Sequence, residues 1–133
     1  AESDDDGLID SSKSIKISIS FESYESLSCS CQINIRDQYR NILLFSSELQ
    51  KSMLFDVHKG RFKIDLTIDP CHLSSGTYFV TCGLARGPHE WIDYIPDAYE
   101  FKTKNLDAYN NGFDFSQKYG VFHVHHQWFL RVL

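Results

Sequence analysis

Several side chains in this 133-residue sequence are of types that could do chemistry. His123, His125 and His126 form a His-Val-His-His run, and His-x-His on a strand puts two imidazoles on one face, as some zinc sites do. Cys71-His72 is the nearest source of a third ligand. Strongly specific metal patterns carry four ligands at fixed spacing, and no spacing ties Cys71-His72 to that strand. A solvated strand face with one partly buried His is therefore favoured, and no metal is expected. Asp4-Asp5-Asp6-Gly7 lacks the alternating ligands and closing Glu of a calcium loop. Asp93, Asp97 and Glu100 are the carboxylates that could form an acid pair of the glycosidase kind, but their separation cannot be read from spacing. No Gly-x-Ser-x-Gly elbow, phosphate loop or His-Glu-x-x-His occurs. Catalysis is the weaker class, with no catalytic residue and no cofactor expected.

The more informative cluster is Gly87-Pro88-His89-Glu90-Trp91-Ile92-Asp93-Tyr94-Ile95-Pro96-Asp97. Flat rings beside carboxylates suit sugars, whose C–H faces stack on aromatics while their hydroxyls seek directional polar partners. The alternative is that Trp91 packs over the open end of the fold, since Trp is well buried on average. Gln32, Asn34 and Arg36 form the polar face of one strand. If that strand lies beside the one holding Tyr78, then Phe79 and Thr81 join the same outward surface.

These residues must be positioned by strands. Period-2 alternation recurs, and no long window has helical periodicity. The alternating runs are 15–20, 29–36, 62–68 and 78–84, with further strands expected at 42–45, 99–103 and 121–130. Cys29 and Cys31 fall on the inward side as small hydrophobes, and the polar residues 37–41 read as the turn to the 42–45 strand. About seven to eight short strands with polar turns indicate an all-β, immunoglobulin-like antiparallel β-sandwich. Leu73-Ser74-Ser75-Gly76-Thr77-Tyr78 resembles the corner of such sandwiches, in which a Tyr hydroxyl ties a loop to the strand it enters. Val80 stands where antibody-type domains have Cys, so the immunoglobulin disulfide is missing. Longer connections are expected at 86–97 and 104–119. Residues 1–13 are expected as an acidic tail and 14–133 as one sandwich domain; the Ala1 start reads as a piece cut from a larger chain.

The charge balance, 13 Lys+Arg against 18 Asp+Glu for a net −5, excludes a nucleic-acid binder, which needs clustered cations. No stretch approaches the roughly 20 apolar residues of a membrane span. Four cysteines and no glycosylation signal favour reduced thiols in a cytosolic protein, although a Cys31–Cys82 bond between the sheets stays open.

The order of elements carries a family resemblance. Ser14-Ile15-Lys16-Ile17-Ser18-Ile19, Cys31-Gln32-Ile33-Asn34-Ile35-Arg36-Asp37, the Leu73–Tyr78 corner, Trp91-Ile92-Asp93 with Tyr99-Glu100-Phe101, and Gly120-Val121-Phe122-His123-Val124-His125-His126-Gln127-Trp128 together resemble the C-terminal carbohydrate-binding domain of Wzt. Wzt is the ATP-binding subunit of bacterial O-antigen polysaccharide ABC transporters. The resemblance spans about residues 14 to 130 and implies an immunoglobulin-like sandwich that binds the exported O-polysaccharide at its modified non-reducing end. It implies a non-catalytic checkpoint at the cytoplasmic face of the inner membrane. The transporter's membrane subunit would be met through the parent protein, and a homodimer could form by exchange of the last strand. Trp128 and His126 match the closing motif, and alternation puts them on the core side with Phe122 and Val124.

The site expected from these readings comprises Gln32, Asn34, Phe79 and Thr81 from the outward sheet face, with Trp91, Asp93 and Tyr94 from the adjoining loop. The rival is a protein-interaction sandwich that docks a partner through the aromatic loop.

Overall fold

The computed structural model describes residues 7–40, 42–86, 90–104 and 126–132. Alternating Ile15, Ile17 and Ile19 form β2 (Ile15–Ser23), which pairs antiparallel with β6 (Gly60–Ile68), setting those residues opposite Ile68, Leu66 and Ile64. Phe21 and Phe62 stack at 5.8 Å farther along this two-stranded sheet.

The larger sheet runs in the order β1 (Ile9–Asp10), β8 (Trp91–Lys104), β7 (Gly76–Ala85), β3 (Leu27–Asp37) and β4 (Ile42–Ser46), and β5 (Phe55–Val57) pairs with the start of β3. The core lies between the sheets. Ile15, Ile17 and Ile68 from one side meet Cys31, Ile33, Ile35, Tyr78, Val80 and Phe101 from the other. Each fully buried aliphatic side chain of this kind contributes about 1.5–3 kcal/mol, which is what selects one register over its one-residue slip.

Eight strands among the described residues thus make an all-β sandwich, as the alternation predicts. One pair departs from the antiparallel expectation: β1 runs parallel to the end of β8. β1 also lies inside the stretch expected as a tail. Ile9 is buried, and Ser11 Oγ donates to the Leu73 carbonyl at 2.5 Å, so residues 9–11 are part of the domain. A two-residue strand has no period to read, which is why pairing alone reveals it. The short helix α1 (Ser47–Lys51) is likewise set by its ends: Ser46 Oγ accepts from the Leu49 N–H at 3.1 Å, and Ser52 closes it in the left-handed region.

The 86–97 segment is not a long loop. β8 begins at Trp91, and its register against β7 shifts between Val80 and Cys82 and again between Leu84 and Ala85. Such bulges reset the alternation, which hides the strand from a period-2 search. The connection expected at 104–119 lies outside the described residues except for Lys104, which ends β8. Of the strand expected at 121–130, residues 121–125 also lie outside them. Residues 126–130 have no regular structure, His126 is exposed and Trp128 is 87% exposed, so the expectation that both face the core is corrected: among the described residues this segment forms no strand whose alternation could turn them inward.

The Tyr78 corner forms as the sequence suggests. The Tyr78 hydroxyl donates to the Ser74 carbonyl at 2.8 Å, Thr103 Oγ1 donates to the same oxygen at 2.7 Å, and the Tyr78 ring stacks on Phe101 at 5.6 Å. Tyr78→Phe should cost about 1 kcal/mol in urea unfolding, because Thr103 still satisfies the Ser74 oxygen. A cost near the roughly 3–5 kcal/mol of an aromatic-to-Ala change would show that the hydroxyl, not the ring, holds the corner.

Candidate functional site

The outward face of the larger sheet is built from the register of β3 on β7. Gln32 lies opposite Gly83, Asn34 opposite Thr81, and Arg36 opposite Phe79, so the strands that carry Gln32, Asn34, Phe79 and Thr81 are neighbours. β4 extends this face with Ile42 and Leu44, both exposed.

β8 completes it in an unusual way. Gly83 pairs with Tyr94 and Ala85 with Trp91, so two residues three apart in sequence share one face. An unbroken strand cannot do this; the bulge at Leu84/Ala85 makes it possible. Gly83 is the floor beneath them. A Cβ there would come within 2.6 Å of Trp91 Cζ3 and 3.2 Å of Tyr94 Cδ2, so the missing side chain is what lets both rings lie on the sheet. The rings are 5.0 Å apart and tilted by 46°, and each residue is 46% exposed. Trp91 therefore does not close the end of the sandwich, and it sits on a strand rather than a loop.

The second bulge brings up a polar group. Asp97 adopts the left-handed region at φ 48°, and its N–H donates to Thr81 Oγ1 at 3.0 Å. Its carboxylate accepts from Arg36 Nε at 3.0 Å and Nη2 at 2.9 Å, while the guanidinium carbon lies 4.3 Å from the centre of the Phe79 ring. Phe79, Arg36 and Asp97 thus form one stacked, ion-paired unit. The Thr81 hydroxyl, expected to face a ligand, is buried and occupied by this bulge. Asn34 Oδ1 is buried without a hydrogen-bond partner among the described residues.

Asp93 is not brought to this face. It pairs with Leu84, which packs against the core, and it lines a separate hollow of about 360 Å³ with Phe21, Tyr24, Leu27 and Ile92. Gly83 is the residue of this face that the sequence does not single out; Arg36 and Asp97 are named there, on the polar strand face and among the carboxylates, but not as members of the expected site. The recurrence of Trp91, Tyr94, Asp97 and Glu100 every third position was the available signal, since period 3 in a strand requires bulges.

Acid–base and metal chemistry find little support in the geometry. The bond from Arg36 holds the Asp97 carboxyl below its ordinary value, and Asp97 in turn raises Arg36. Such a carboxylate is a fixed anion at neutral pH, not a proton donor. Cys29, Cys31, Cys71 and Cys82 are free thiols, and burial, then the neighbouring Cys82 and Cys29, push Cys31 up to about 11. Among the described residues no group of three His, Cys, Asp or Glu side chains is placed to hold a metal; His123 and His125 lie outside them. No described helix is long and apolar enough to cross a membrane.

Because the Asp97 pKa is lowered on folding, the ion pair is complete above the usual carboxylate range and opens only as pH falls through the lowered value. In an Arg36→Met variant, a carboxyl-carbon NMR titration should show Asp97 moving up toward its ordinary value of 3.8. No movement would mean that Arg36 is not what depresses it.

No curated protein matches the chain. The model of one protein family, described as the Wzt C-terminal domain, matches residues 2–124. That span includes every residue of the outward face described above, and the chain belongs to the Wzt C-terminal domain family.

Proposed function

We propose that this domain is a non-catalytic glycan-binding module that holds an O-antigen polysaccharide at its modified non-reducing end and so couples chain completion to export by an ABC transporter. The observation that carries this reading is the half-exposed Trp91–Tyr94 pair seated over Gly83, beside the Arg36–Asp97 pair on the same sheet face. Sugars need both an apolar surface for their C–H faces and polar groups for their hydroxyls. Family membership supports the same class of ligand. In this reading Gln32, Asn34 and Phe79 border the bound chain, and Asp93 and Thr81 act only through the strands that carry them. The place of action is the cytoplasmic face of the inner membrane, with the transporter's membrane subunit reached through the parent protein. An open sheet face buries little of a small ligand, so affinity for a single sugar is low.

The C-terminal residues support a homodimer formed by exchange of the last strand. Phe129 is 87% and Leu130 99% exposed, and the inner residues Ile64 and Leu66 of the small sheet are only partly buried.

Trp91→Ala and Gln32→Ala should each weaken retention of O-polysaccharide by about tenfold, as loss of a central contact does, with the near-UV circular dichroism of a folded domain kept. Full retention by both variants would remove the site from this face, and equal binding of polysaccharides with and without their terminal modification would remove end recognition. Sedimentation equilibrium should show a dimer at high protein concentration; a monomer there overturns strand exchange.

A further inference from the structure

The outward face carries two recognition features of different chemistry. At one end Trp91 and Tyr94 offer ring surface over Gly83. At the other the Arg36 guanidinium lies on Phe79 and grips Asp97 with two hydrogen bonds. Phe79 and Gly83 are four residues apart on β7, about 13 Å at the rise of a strand. One pyranose ring does not reach across that separation. We infer that this face is divided into an apolar subsite on Trp91–Tyr94 and a polar subsite on Arg36–Asp97, and that it takes a neutral oligosaccharide whose successive residues occupy both at once. This inference rests on the glycan-binding reading above.

The chemistry of the polar subsite selects an uncharged ligand. An anion on the open guanidinium N–H groups would lie against the Asp97 carboxylate, and a cation on the open carboxylate lone pairs would lie against Arg36, so each meets a like charge. A polyol meets no such repulsion. Its hydroxyls donate to the carboxylate lone pairs that Arg36 leaves open and accept from the remaining guanidinium N–H groups. Both partners are half-exposed, with side chains 31% and 46% accessible, so these positions are open to a ligand.

The polar subsite is also fixed before a ligand arrives. Asp97 is held in its left-handed conformation by the Thr81 hydroxyl. Arg36 is stacked on Phe79, and its Nη1 donates to the Asp37 carbonyl at 3.2 Å. A group already ordered costs less to engage, and a non-glycine residue held at positive φ at an exposed bulge is the form that a maintained binding geometry takes.

The test is a ladder of one- to four-residue fragments from a neutral O-polysaccharide, and a matching ladder from an anionic one, each titrated into the domain by calorimetry. Affinity should rise about tenfold from one residue to three, the increment expected from hydrogen bonds to charged groups, and then level off. Asp97→Asn keeps a residue that tolerates the left-handed region but loses the charge and should flatten the rise to less than about threefold. A ladder that stays steep in Asp97→Asn, or fragments that all bind alike, would overturn the two-subsite arrangement while leaving glycan binding intact. Preference for anionic fragments would overturn the neutral ligand, and no binding by any fragment or by the intact polysaccharide would overturn the glycan reading itself.

Discussion

The Ser74 carbonyl oxygen is the point on which the larger sheet depends. It is buried and accepts from both the Tyr78 hydroxyl and the Thr103 hydroxyl, so it ties the start of β7 to the end of β8. A buried acceptor must be satisfied, and here both donors come from strands whose register is thereby set. Next to it Ser11 donates to Leu73 and takes the His72 N–H, fastening β1 to the same corner. With Gly76 fixed opposite Thr103, the pairing runs in step to Val80 and Tyr99, and beyond it two bulges turn Trp91, Tyr94 and Asp97 outward. The outward face thus starts from a polar knot at the far end of the same two strands.

That dependence divides the labour between the two ends of β7. The Tyr78 end is dry, stacked on Phe101 and packed against the small sheet. The Gly83 end has rings on one face and a partly filled hollow on the other. β8 follows the same division. Its last residues are paired on both sides, by β1 and β7, whereas residues 91–100 are exposed and pair on one side with β7. The buried polar contacts gather at the corner that opens β7, and the accessible apolar rings at the other end, where β7 turns back into β8.

The sequence made much of this legible. Ile15, Ile17 and Ile19, like Phe62, Ile64 and Leu66, announce their strands because a single buried face imposes strict alternation. The Tyr78 corner is local, so its motif is sufficient. The failures have separate physical causes. β8 alternates only between bulges, which put Trp91 and Tyr94 on one face and sent Asp93 to the other, so a cluster that reads as a loop is a strand, and one expected member of the site is turned away. Arg36 and Asp97 are 61 positions apart, and no local pattern could pair them. β1, β5 and α1 are too short to show a period and exist through their partners and caps.

The left-handed backbone at position 97 constrains how this face can diversify. Only Gly, Asn and Asp enter that region readily, so sequence drift there has a narrow alphabet, and of those three Asp alone supplies a carboxylate for Arg36. Positions 91 and 94 carry no such backbone demand and are limited only by the space above Gly83. The aromatic half of the face can therefore change freely, while its ion-paired half changes only by losing the pair. Within one scaffold, the surface is free to vary on one side of Thr81 and is narrowly constrained on the other.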